Sequence, residues 1–165
     1  NKPRPSGPDC LNTTDVNHVI FDHVSVSWGI DGNHDLRRGG NFTVQWSIYT
    51  EALNDSLHEK GTHAMLASFR DLTGSITLHH NLFASSRERH PTLGGGPRTK
   101  REAIVDFRNN VVYNVSGATN LGNCRVNMIN NFYQPGPNTP RDALTQPRPR
   151  RIRPVLVCTA PHGTN

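Results

Sequence analysis

The chain has 165 residues, 33% of them hydrophobic, and 18 Lys plus Arg against 13 Asp plus Glu give a formal charge of +5. That length suits one domain with its own core, and the absence of any apolar run of about 18 residues excludes a transmembrane helix. A basic surface suits a polyanion, whether nucleic acid, an anionic lipid face or an acidic polysaccharide, and charge alone does not choose among them.

Residues 1–15 are rich in Pro and Gly and read as mid-chain loop. No signal peptide opens the chain, so the expectation is a fragment whose export signal is missing. Asn12, Asn41, Asn54 and Asn114 sit in N-x-S/T sequons, which matter only in a eukaryotic secretory pathway. Cys10, Cys124 and Cys158 make an odd count without metal-site spacing. Small buried hydrophobes or a free thiol are the plain reading.

Asp9-Cys10-Leu11 is the first stretch that could be strand. Val19 to Trp28 is a β-rich run whose apolar residues alternate from Val24 to Trp28. Gly29 to Gly40 reads as a polar loop. Phe42–Tyr49, Ser75–Phe83, Ile104–Tyr113 and Arg125–Tyr133 repeat the texture of the first run. Overlaid, the runs place Asp22-His23, Gln45-Trp46, His80-Asn81, Asn109-Asn110 and Asn130-Asn131 at one polar step. The interval is irregular, roughly 21 to 34 residues, which indicates a solenoid with variable loops on one face. Stacked coils bury a shared interior that such short polar strands could not bury singly. Asn at a repeated bend tolerates the left-handed conformation and can bond to the Asn of the next coil. Five unrelated strands of a β-sandwich remain the alternative at this point.

After Gln134 the composition changes. Residues 136–165 are rich in Pro and Arg with no repeat, and read as an extended tail. Val155-Leu156-Val157 could dock back on the body. The expected division is therefore 1–135 for the solenoid and 136–165 for the tail. Nucleic-acid binding through that tail is disfavoured, because no aromatic stacking platform accompanies the charge.

Asp31 and Asp35 stand four apart just after the first run. Hard cations such as calcium take several oxygen ligands from loops of this kind, although Asp-Gly-Asn is also an ordinary turn. Asp9 precedes the same strand and could sit beside Asp31 in a stacked fold. Lys60 lies in a His-rich loop with His58 and His63. Those histidines match no standard zinc spacing, and hydrogen bonding is their simpler role. Arg87, Arg89, Arg98, Lys100 and Arg101 make a basic loop region that a solvated surface would explain.

In this order and spacing the segments resemble the pectate lyases of polysaccharide lyase family 1. VIFDHVSVSW is similar to that family's V-W-I-D-H strand, Asp31 to Asp35 to its D-G-x-x-D calcium loop, and Arg89-His90-Pro91, eight residues beyond Asn81, to the start of its R-x-P-x-x-R motif. Asp9 matches the acid before the strand, and Lys60 falls where the family has its substrate-binding lysine. The resemblance covers about residues 9–135. Gly94 occupies the place of the motif's second arginine, so that contact is missing or comes from Arg87 or Arg98. Phe21 and Ile20 also depart from the strand motif, and the family's early coils are absent.

The resemblance implies a right-handed parallel β-helix lacking N-terminal coils. It implies a secreted monomer that cleaves α-1,4-polygalacturonate by calcium-assisted β-elimination. Asp9, Asp31 and Asp35 would hold the Ca2+. Arg89 would be catalytic, and Lys60, Arg87 and His63 would bind substrate. The partner would be an acidic polysaccharide, with neither nucleic acid nor membrane. The alternatives are a pectin lyase acting on methylated substrate, against which three acids in calcium positions argue, and a non-catalytic β-helix that binds acidic polysaccharide.

Overall fold

The computed structural model describes residues 7–96, 103–141, 143, 148–149 and 156–159. Arg98, Lys100 and Arg101 lie outside the described residues. Among those described there is no α-helix, and so no helix long and apolar enough to cross a membrane.

The strands come in triplets, one triplet per coil. The first coil is β1 (Leu11–Thr14), β2 (Asn17–Asp22) and β3 (Ser25–Ser27). The second is β4 (Gly32–Arg37), β5 (Gly40–Gln45) and β6 (Ile48–Thr50). The third is β7 (Met65–Arg70), β8 (Thr73–His79) and β9 (Leu82–Ser86). The fourth is β10 (Thr92–Leu93), β11 (Ile104–Arg108) and β12 (Val111–Val115). The fifth is β13 (Asn120–Leu121), β14 (Arg125–Ile129) and β15 (Phe132–Gln134). β16 (Arg148–Pro149) and β17 (Leu156–Thr159) pair with β13 and β14.

All the pairings are parallel, and they run from each coil to the next. Three sheets result. The first holds β1, β4, β7, β10, β13 and β16, the second β2, β5, β8, β11, β14 and β17, and the third β3, β6, β9, β12 and β15. This is a parallel β-helix: the repeated runs predict a solenoid, and the family resemblance implies this kind.

The core is a set of columns. Phe21, Val44, Leu78, Phe107 and Met128 occupy one register line of the second sheet. Val26, Tyr49, Phe83, Val112 and Tyr133 occupy one line of the third. Leu36, Phe69, Leu93 and Leu121 occupy one line of the first. Each side chain thus packs on its counterpart a coil away, about 4.8 Å along the axis. Tyr49 and Phe83 stack at 5.3 Å between centroids.

The corners force a backbone that most residues avoid. His23, Trp46, His80, Asn109 and Asn130 all have φ between 48° and 55°. They form one column between the second and third sheets. A left-handed residue there turns the chain sharply, and Asn tolerates it best.

Beside that column runs a hydrogen-bonded ladder. Asn81 Nδ2 donates to Asn110 Oδ1 at 3.0 Å, and Asn110 Nδ2 donates to Asn131 Oδ1 at 2.9 Å. Ser47 continues it, its N–H donating to Asn81 Oδ1 at 3.0 Å. The overlay expected from sequence is one residue out in the first two coils. Asp22 and Gln45 pair with His79, not His80. His23 and Trp46 therefore occupy the bend, and Val24 and Ser47 the ladder line.

Gly29 to Gly40 is not simply a polar loop: residues 32–37 form β4. Its Asn33, His34 and Asp35 side chains are buried. Asn33 Oδ1 accepts from Gly29 N, while its Nδ2 donates to Val26 O and Thr50 O, tying two coils together. The His34 ring lies inside the core, 5.7 Å from Tyr49 and edge-on to Phe21 and Phe69.

Candidate active site

The acids expected to act together gather at the N-terminal end of the first sheet. Asp9 leads into β1, Asp31 precedes β4, and Asp35 lies within β4. Gly32 lets them approach, since a Cβ there would lie 2.8 Å from Asp9 Oδ1. The Asp9 carboxyl is raised above the usual range by burial first, with Asp31 and Asp35 adding repulsion, while a hydrogen bond from Asn12 opposes the rise.

Each acid has a distinct setting. Asp35 is buried, and its Oδ2 accepts from Arg37 Nε at 3.1 Å, Arg37 Nη2 at 3.0 Å and Arg70 Nη2 at 2.9 Å. Its Oδ1 is buried without a hydrogen-bond partner. Asp31 Oδ1 lies 2.6 Å from His63 Nε2 and 3.7 Å from His58 Nε2. The two imidazoles stack at 4.2 Å.

Asp35 Oδ1, buried and unpartnered, is an oxygen of the kind a hard cation takes, but Asp9, Asp31 and Asp35 do not bring their carboxylates within 4.8 Å of one another as a set. Asp31, His58 and His63 do bring one donor atom each within 4.8 Å of one another, a nitrogen-rich set of the kind transition metals favour. The His58 tautomer works against that use. Its Nδ1 accepts from Lys60 N at 3.1 Å, so a neutral ring carries its proton on Nε2, where a metal would need the lone pair.

Arg89 enters the site from the turn after β9. Its backbone is left-handed, at φ 60°, and its carbonyl accepts from Ala67 N in β7. Burial lowers the guanidinium pKa, and Arg70 lowers it further, while Asp35, Asp31 and Glu88 pull it back. These couplings put Arg89 within electrostatic reach of both acids and of Arg70.

Lys60 is exposed, on the loop that brings His58 and His63 to Asp31. His63, expected to bind substrate, instead has its Nε2 on Asp31. Arg87 stands apart, lining a cavity of about 310 Å³ with Asn54, Ser85, Asn114, Ser116 and Asn138. Sequence reasoning missed Arg37 and Arg70. Arg37 lies two residues from Asp35, on the same side of a strand, a signal hidden while the segment reads as loop. Arg70 needs the register, which pairs it with Arg37.

Proteins of known name share this chain's sequence. It is 33% identical over 148 residues to a protein of Aspergillus fumigatus named probable pectate lyase C, with 86% of this chain matched. Proteins of the same name from Aspergillus flavus and Emericella nidulans match at 32% and 31% identity. In sequence the chain is similar to these probable pectate lyases. It spans about a third of these curated relatives, 31%, 32% and 30% of their lengths in turn. No protein-family model matches it.

Proposed function

We propose that this chain carries the catalytic cleft of a pectate lyase that cleaves α-1,4-polygalacturonate by β-elimination with calcium. The observation that carries the reading is the position of Arg89 beside the acids. Its carbonyl accepts from Ala67 N, and Ala67 and Ser68 pair with His34 and Asp35, with burial lowering the guanidinium pKa in support. In the reaction the C5–H bond breaks and its electron pair becomes the C4–C5 double bond. The glycosidic C4–O bond breaks with its pair, and the departing oxygen takes a proton from water. The C5 proton is acidic because it lies next to a carboxylate that can accept the charge.

Asp9, Asp31 and Asp35 would hold the calcium, which when bound neutralises charge growing on the substrate carboxylate. His63 would fix the Asp31 carboxylate, and Arg37 and Arg70 that of Asp35. Arg89 would take the C5 proton, which requires it to be neutral at that moment, and its burial favours that form. Lys60 would hold a substrate carboxylate by a charge-assisted bond. Secretion belongs to this reading, since a polymer of this size is met outside the cell.

A second reading, a non-catalytic β-helix that binds acidic polysaccharide, is favoured by Gly94 at the motif's second arginine. One experiment separates them. Polygalacturonate is incubated with the protein and calcium, then with excess chelator, and near-ultraviolet absorbance of the new conjugated double bond is followed. Calcium-dependent absorbance is expected. Absorbance that persists in chelator removes the calcium assignment, and binding without any absorbance leaves the non-catalytic reading.

The three acids face three arginines, Arg37, Arg70 and Arg89, so the formal charges nearly cancel. Calcium should therefore bind weakly to the free protein and more tightly once an oligogalacturonate adds its carboxylates, with the coupling reciprocal. Calorimetric calcium titration with and without the oligomer checks this. Equal affinities would mean that the substrate supplies no ligand.

A further inference from the structure

We propose that Arg70 and the hollow beside it form a carboxylate subsite, standing in for the arginine that Gly94 replaces. This rests on the acidic-polysaccharide reading above and adds a residue to it. The hollow is written into the register. Arg37 and Arg70 are paired across β4 and β7. Phe69, just before Arg70, pairs with Leu93, and Leu93 pairs with Leu121. The next residues in those two coils are Gly94 and Gly122. One line along the first sheet therefore runs Arg37, Arg70, Gly94, Gly122: two guanidiniums and then no side chains.

Neither glycine position can accept a side chain. Gly94 has φ 77°, and a Cβ there would lie 2.8 Å from Cys124 Sγ. A Cβ on Gly122 would lie 2.2 Å from Gly95 N. The result is a cavity of about 260 Å³ lined by Arg70, Thr92, Asn120 and the backbone of residues 94–96 and 122–123. Its surroundings suit a hydroxylated anion. Asn120 Nδ2 donates to Thr92 Oγ1 at 3.3 Å, so both present polar atoms at the wall. Arg70 is partly exposed, with one nitrogen on Asp35 and its Nε without a hydrogen-bond partner. Among the described residues, Asp71 also stands at the rim, where a Cβ on Gly96 would touch its carboxylate.

Position gives the subsite its use. Arg70 couples to Arg89 and touches Asp35. Thr92 lies one coil from Ser68 and Asn120 one coil from Thr92, so the cavity extends along the axis from the candidate catalytic groups. A chain of uronate residues lying along the sheet would place one carboxylate at the calcium ligands and a neighbouring one against Arg70. A carboxylate meets the guanidinium charge to charge, whereas its methyl ester offers only a neutral carbonyl.

The test uses the whole chain in calcium-free buffer, with calorimetric binding of an oligogalacturonate and of its methyl ester. The wild type should prefer the acid. Arg70→Gln should weaken the acid form by about tenfold, the worth of one charge-assisted hydrogen bond, and leave the ester unchanged. With calcium present, KM for polygalacturonate should rise as well. Asn120→Asp, nearly isosteric and on the wall of the same cavity, should weaken the acid form in the same direction by repulsion. Unchanged binding in both variants overturns the subsite. So does an Arg70→Gln protein that binds oligomer normally but calcium more tightly, because Arg70 is then only a counter-ion of Asp35. Failure of the wild type to bind the acid form both without calcium and with it overturns the polysaccharide reading itself.

Discussion

Three charged side chains of the candidate site ask to be tested separately, because their surroundings differ. Arg89 is the group whose role depends most on its protonation. Lowering its pKa raises the neutral fraction at any given pH, so turnover should climb toward alkaline pH, the rate rising as the guanidinium loses its proton. Arg89→Lys removes the planar fork and its reach. It should cut turnover by roughly a hundredfold or more, the low end of a general base's contribution. The residual rate should follow the lysine's own titration, so the alkaline limb moves to lower pH. If Arg89 only grips a carboxylate, kcat and the limb should hold while KM rises. Arg87→Lys is the control: exposed and in a separate cavity, it should change neither. The acids are not equivalent. Asp31→Ala frees a histidine near the surface and should raise the calcium requirement with little change in the calcium-free unfolding midpoint. Asp35→Ala instead leaves Arg37 and Arg70 without their shared partner, and should cost about 2–3 kcal/mol of stability in urea titration, less than breaking a fully buried pair because both arginines are partly exposed. Equal unfolding midpoints for the two variants would contradict that difference.

Among elements, the Asn ladder is the part of the fold that depends on single side chains. Asn110 is its middle rung. Its Nδ2 donates to Leu78 O at 2.9 Å and to Asn131, and its Oδ1 accepts from Asn81 N and Nδ2 at 3.0 Å. Asn110→Ala would strand several buried partners, each worth about 1 kcal/mol or more, so a loss near 3 kcal/mol is expected. Asn109→Val tests the neighbouring bend: a β-branched residue at φ 50° should cost about 1–2 kcal/mol. Urea unfolding of both variants is the check, and an Asn110→Ala loss below the Asn109→Val loss would mean that the ladder is incidental. The second and third sheets were legible in the sequence because their strands alternate and end at a repeated polar step. The first sheet was not. β10 and β13 are two residues each, and β4 buries Asn33, His34 and Asp35 on internal partners rather than by apolar alternation. That sheet carries the candidate site, so Asp9, Asp31, Asp35 and Arg89 could be named by motif order while Arg37 and Arg70, which depend on strand register, stayed hidden.

At the scale of the whole molecule, a solenoid has neighbours on both sides only for its inner coils, and stability follows that arrangement. Along the core line of the second sheet, Val44, Leu78 and Phe107 are fully buried, while Phe21 and Met128 on either side of them are only partly so. Nearest-neighbour coupling predicts unequal local stabilities along the axis, with the inner coils opening last. Leu78 packs between Val44 and Phe107, so Leu78→Ala removes contacts to coils on both sides. It should cost about 3 kcal/mol, within the range for a buried leucine, and should speed amide exchange in every coil, because the interfaces on either side share the loss. Phe21→Ala strips a larger side chain, yet its effect should stay in the first two coils, where Val44 is its register neighbour. Native-state hydrogen exchange resolved by segment distinguishes the two patterns. Uniform acceleration by both variants would show one all-or-none unit, and the column picture would then describe packing without describing how the molecule opens. The distinction bears on the site as well. Asp9 belongs to the first coil, Asp31 and Asp35 to the second, and Arg89 follows the third, so opening of the first coil alone would remove one acid while leaving the other two with Arg89. Phe21→Ala should therefore weaken calcium binding at temperatures where the inner coils remain fully protected, and calcium titration alongside exchange on the same sample would reveal whether the site and its coil open together.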